Sequence, residues 1–142
     1  NTMKKTLILL TLFLSLFAFS QNKQTYSFNF VQNVPAYPGC KGDNAELKKC
    51  TNRGVQLHIV QNMNSNVFSG EKLEKPVKSF ILFTISETGK VSKVYVKSSQ
   101  SKLKAELERV VKLLPDFKPG MIDKKAVAVK FTLPFTYRGR VN

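Results

Sequence analysis

From Leu103 onward, apolar residues recur at Leu103, Leu107, Val110, Val111 and Leu114, the spacing of one helix face. Lys102, Lys104, Glu106, Glu108, Arg109 and Lys112 fall on the other faces, with Glu108 and Lys112 in the favourable i, i+4 order. Pro115 ends the helix, because it disfavours helical geometry at Leu114 and has no N–H to donate. After a polar turn around Asp123 the period changes. Val127, Val129, Phe131, Leu133, Phe135 and Tyr137 alternate with Ala128, Lys130, Thr132, Pro134 and Thr136, which predicts a strand with one buried face.

Upstream, Ser79 to Ile85 is apolar on both faces, as a central strand is. Glu87-Thr88-Gly89-Lys90 reads as a hairpin turn with glycine where φ is positive, and Val91 to Ser98 pairs back. Two strands, a helix and a third strand give a small α+β domain of β-β-α-β type. Its expected sheet is three-stranded and antiparallel in the order 2-1-3, with the helix on one face. A weaker pattern at Leu57, Val60, Met63 and Val67 predicts a preceding helix from about Val55 to Asn66, with Asn52 as cap. His58, without an acidic or thiol neighbour, reads as a surface or packing residue.

The third strand is then an edge. Pro134 agrees, since proline cannot donate to a ladder. An edge carrying one charge, Lys130, is poorly defended against another chain, so an extended partner would add itself as a further strand.

Residues 1–20 do not belong to this domain. Met3-Lys4-Lys5 precedes an uncharged apolar run from Thr6, and Ala18-Phe19-Ser20 follows with the small residues of a processing site. This reads as a signal peptide, with Asn1 and Thr2 an upstream extension, and it predicts export to the periplasm or cell envelope. A retained membrane anchor stays open. Residues 21–34 read as a flexible, extended leader, and 35–142 as the domain.

The chain has 23 Lys and Arg against 9 Asp and Glu, and removal of Lys4 and Lys5 leaves a net charge of +12. Export removes nucleic acid from the partners such a charge would favour, leaving an anionic envelope surface or an acidic protein. The scatter of the lysines equally fits a solvated surface. Cys40 and Cys50, the two cysteines of the chain, predict a disulfide in an exported protein; C-x-x-C redox and four-ligand zinc patterns are missing. No nucleophile–base pattern or phosphate-binding loop stands out, so neither catalysis nor a cofactor is expected.

LLPDFKPG followed by KKAVAVKFTLPFTY resembles the end of the TonB C-terminal domain of Bacteroidetes-type proteins. FTISETGKVSKVYVKSS is similar to that family's hairpin, LKAELERVVKLLP to its helix, and YPGCKGDNAELKKC to the leader of the same subgroup. Val67-Phe68 departs from the family's Tyr-Pro, and Lys75-Pro76 stands near where a glycine often begins the first strand. The resemblance implies a module that pairs its last strand with an extended segment of an outer-membrane TonB-dependent receptor or other envelope protein. Val127, Ala128, Val129, Lys130, Phe131, Thr132 and Tyr137 would then form the partner site. Self-association through the same edge is an alternative, as is a membrane-anchored energy transducer. The leader from Gln21 to Val34 would reach only about 50 Å when fully extended, which argues against force transmission across the periplasm.

Overall fold

The computed structural model describes residues 23–64, 66–69 and 73–139; the expected signal segment lies outside them. The chain forms β1 (Thr25–Ser27), α1 (Asn44–Asn62), β2 (Val77–Ile85), β3 (Val91–Ser98), α2 (Ser101–Lys112), β4 (Gly120–Ile122) and β5 (Lys125–Tyr137). The main sheet runs β1-β5-β2-β3, and β4 pairs with the start of β5. The expected 2-1-3 order survives inside it as β3-β2-β5, with both contacts antiparallel. Two strands enlarge the sheet beyond the expected three: β1, parallel to β5, and β4, which turns into β5.

The α2 stripe packs as its period predicts: Leu103, Leu107, Val110 and Val111 are fully buried. Each such side chain removed from water contributes about 1.5–3 kcal/mol. Opposite them lie Ile81, Phe83, Ile85, Val96, Val129, Phe131 and Leu133, all buried on the inner face of the sheet. Between β2 and β3 the register shifts, so that Lys93 and Val94 oppose Phe83 alone. Lys93 takes φ +49° at this bulge, in the left-handed region that one class of bulge uses. Asp123 and Lys124, at φ +49° and +62°, make the tight turn that returns β4 into β5.

The first helix is longer and rotated relative to expectation. It begins at a capping box: Asp43 Oδ1 accepts from the Glu46 amide at 2.9 Å, and Glu46 Oε2 accepts from the Asp43 amide at 3.0 Å. Its buried face is Thr51, Val55 and Ile59, whereas Leu57 and Val60 are exposed. At 57 and 60 the partial period therefore picked out the solvent side, while Met63, the C-cap, packs half-buried against the core. Gly54 has a reason for its place in this helix: a Cβ there would meet the Tyr37 ring at 2.6 Å.

Residues 25–37, expected to begin with a flexible leader, are tied to the domain throughout. Phe28, Val31, Val34 and Ala36 are buried. The Asn44 amide side chain brackets the segment, accepting from the Val34 amide at 3.1 Å and donating to the Gln32 carbonyl. Buried Thr51 donates to the Pro35 carbonyl at 3.2 Å and accepts from the Tyr37 amide at 3.1 Å. Asn33 and Met121 exchange backbone hydrogen bonds, as do Ala36 and Lys118. The disulfide Cys40–Cys50, with Cα atoms 5.8 Å apart, ties the end of this segment into α1.

At the junction of the helices, Arg109 Nε donates to Glu106 Oε2 at 2.9 Å, and its Nη2 donates to the Asn62 carbonyl at 2.9 Å. Glu106 Oε1 also accepts from the Asn64 amide at 2.7 Å. His58 Nε2 lies 3.0 Å from the Val110 carbonyl, so the residue read as surface or packing joins α1 to α2. The Arg109 hydrogen bond holds the Glu106 carboxyl below its ordinary 4.5; partial burial opposes the shift and the Asn64 amide adds to it.

Two outcomes follow from these packing details. Gly89, at φ +84°, would place a Cβ inside contact distance of the Phe117 carbonyl, so Gly89→Ala should cost about 3 kcal/mol or more in urea unfolding. Because its folded-state pKa is lowered, Glu106 contributes stability in full above its ordinary 4.5, and the contribution fades as pH falls through the lower folded value. Glu106→Gln should therefore lower stability at pH 7 by only about 1 kcal/mol, given solvent screening, and this difference should shrink when the melts are repeated near pH 3.

Candidate functional site

The strand expected to receive a partner is β5, and its two edges differ. Its register with β2 is unbroken from Val129↔Ile85 to Tyr137↔Val77. Backbone groups on an antiparallel strand alternate between its two sides. The Phe28 amide donates to the Lys130 carbonyl at 3.0 Å, so Lys130 turns its backbone away from β2. By the same alternation Ala128, Thr132, Pro134 and Thr136 also face outward, while Val129, Phe131, Leu133 and Phe135 bond to β2.

β1 covers part of this outer edge. Thr25, Tyr26 and Ser27 lie parallel to Ala128, Val129 and Lys130. Beyond Lys130, nothing among the described residues pairs with the edge. That open stretch presents the Thr132 and Thr136 amides and the carbonyls of Thr132, Pro134 and Thr136. Pro134 sits where its missing N–H removes no bond to β2, which explains how a proline fits a strand facing Phe80.

The seven sequence-selected positions therefore fall into separate groups. Val127 pairs with Gly120 of β4, and Ala128 and Lys130 have their outward backbone opposite β1. Val129 and Phe131 are core residues. Tyr137 is half-buried, with its ring 5.1 Å from that of Phe68. Thr132 alone combines an exposed side chain with an outward backbone that β1 leaves uncovered. Thr136, which the sequence reading passed over, has the same position one repeat further on.

Under the covered part of the edge lies an aromatic contact. Phe28 meets Phe131 edge-on at 4.7 Å, and Phe131 stacks on Phe83 at 4.9 Å. Phe28 keeps only 7 % of its surface exposed. Only the alternating aromatics of Tyr26, Phe28 and Phe30 in the sequence hinted at a strand here, and Phe30 proves to be exposed. On the open face of the sheet Phe80, Leu82 and Tyr95 are exposed beside Lys78 and Lys97, with Lys104 Nζ 5.9 Å from the Tyr95 ring centre. Among the described residues no group of three or more His, Cys, Asp or Glu side chains converges as a metal site, and both cysteines are in the disulfide.

Residues 77–138 match the family described as the Gram-negative bacterial TonB protein C-terminal, a family of non-enzymatic protein-interaction domains. β2, β3, α2, β4 and β5 fall inside the match, while β1 and α1 precede it. No curated protein matches the chain.

The alternation along β5 separates two proline substitutions. Val129→Pro deletes an amide that bonds to β2 and should remove about 3 kcal/mol or more of stability. Thr132→Pro deletes an outward amide and should change stability by about 1 kcal/mol or less. Thermal melts of the two variants check the assignment; equal losses would show that the edge has been read the wrong way round.

Proposed function

We propose that this TonB C-terminal domain is an envelope binding module that takes up an extended segment of an outer-membrane transporter, or another envelope protein, by strand addition to β5. The observation that carries the reading is the uncovered outer edge at Thr132–Thr136, on the last strand of a matched TonB C-terminal domain. The family supports envelope-protein interaction in transport. Backbone hydrogen bonds from the Thr132 and Thr136 positions would supply affinity, and the Lys130, Thr132 and Thr136 side chains beside them selectivity. The chemistry is recognition without catalysis. The signal-peptide pattern of residues 1–20 supports export to the periplasm or cell envelope, where TonB-like domains are typically found.

The test uses a synthetic peptide of the extended N-terminal segment of an outer-membrane transporter from the same cell, titrated by fluorescence anisotropy. Thr132→Pro should weaken binding at least tenfold while circular dichroism and melting temperature stay close to those of the unmodified protein. A folded Thr132→Pro variant that binds as well as the unmodified protein would remove this edge as the site.

A further inference from the structure

The covered half of the β5 edge carries a second consequence, resting on the strand-addition reading above. The open half offers few bonds: Thr132 and Thr136 supply amides, and Pro134 between them supplies none. A segment that pairs along the whole edge must also take Ala128 and Lys130, where β1 lies now. β1 is built to be exchanged. It has three residues, Ser27 is exposed, and Thr25 and Tyr26 are half-buried. Just upstream, Lys23 is held by an exposed ion pair to Glu87 at 2.9 Å, a kind of contact that adds little stability. Just downstream the chain turns at once, with the Phe30 and Val31 amides both donating to the Ser27 carbonyl at 3.0 and 3.2 Å. What holds β1 is its ladder to β5, the Phe28 ring on Phe131 and half-buried Tyr26 against the core, with Lys48 Nζ donating to the Asn29 carbonyl at 3.3 Å just downstream.

We infer that β1 is an intramolecular occupant of the strand-addition slot, and that the partner which displaces it is a parallel extended segment with an aromatic–polar–aromatic pattern. The parallel direction follows from the register Thr25↔Ala128 to Ser27↔Lys130. The pattern follows from the two faces of the slot. Tyr26 and Phe28 lie on the core side, where Val129 and Phe131 would otherwise meet water, and Ser27 lies beside Lys130 on the open side. A segment lacking an aromatic at the Phe28 position leaves the exposed edge of Phe131 uncovered and competes poorly. The device lies ahead of residue 77, outside the matched domain, so it belongs to this chain's own leader. With β1 in place the module is partly closed, and a partner must outcompete a tethered strand.

The probe is a labelled peptide carrying residues Gln24 to Val31 of this sequence, QTYSFNFV, offered to the unmodified protein and to a Tyr26→Pro variant. In a parallel ladder the β1 amides that reach β5 are those of Tyr26 and Phe28, so the variant loses one of them and keeps the Phe28 ring. The variant should bind the peptide at least tenfold more tightly than the unmodified protein, and a peptide with Phe28→Ser should lose most of that affinity. Equal binding by the two proteins, or no binding by a folded variant, overturns the inference. If Tyr26→Pro does not fold, hydrogen exchange on the unmodified protein decides. The Phe28 amide should exchange at least a hundredfold faster than those of Val129 and Phe131, and equal rates overturn the inference. The transporter peptide separates the two readings. If Thr132→Pro weakens its binding and Tyr26→Pro leaves it unchanged, strand addition stands and the occupancy of the slot by β1 falls. If neither substitution alters it, strand addition itself falls.

Discussion

A row of aromatic rings runs through the core and joins pieces of chain that are far apart in sequence. Phe28 lies on Phe131, Phe131 on Phe83, Phe83 within 6.4 Å of Phe117, and Phe117 within 5.6 Å of Tyr37. The members come from the leader, β5, β2, the segment after α2, and the turn before α1. Neighbouring rings at these separations gain beyond simple burial, by about 0.5–1.5 kcal/mol per pair. Removal of one ring also unseats its neighbours, because a packed interior relaxes only in part around a void. The sheet order, the position of the leader and the aromatic contact beneath the β5 edge all depend on this row.

The same row explains why the outer edge of β5 is uneven. Phe131 turns its ring to the inner face and leaves one side for Phe28, so the leader is drawn in where Phe131 is, at Ala128 to Lys130. Further along, Leu133 is buried, Phe135 packs against the core, and the Tyr137 ring lies by Phe68. Among the described residues no aromatic pair joins the leader to β5 beyond Phe131. The boundary between the covered and uncovered parts of the edge is therefore a packing boundary, although it is expressed in backbone hydrogen bonds.

Much of this was legible in the sequence wherever a period was strong. Leu103 to Leu114 and Val127 to Tyr137 each carry a single uninterrupted period, and both elements fold as their patterns require. Gly89 marked its turn because the hairpin requires positive φ there. α1 was harder. Its inner face includes Thr51, polar but satisfied by Pro35 and Tyr37, while Leu57 and Val60 on the outer face mimic a buried stripe. The stronger signal was Asp43-Asn44-Ala45-Glu46, a capping box that places the helix start well ahead of Asn52. The leader was least legible, because three residues of a parallel strand carry almost no period. What orders it are contacts remote in sequence, such as Gln32 with Asp123 and Phe28 with Phe131.

Cys40 stands a few residues beyond the leader and is bound to Cys50 inside α1. Were β1 displaced, the bond would set how far the chain ahead of it could follow. Detachment beyond β1 would have to unseat buried Val31, Val34 and Ala36, and it would halt at the disulfide with the capped helix still seated on α2. The stretch from Tyr26 to Gly39 would then reach about 45 Å from its anchor. Its Tyr-Ser-Phe stretch would be searching the space around the domain for any other exposed strand edge, its own neighbour's included.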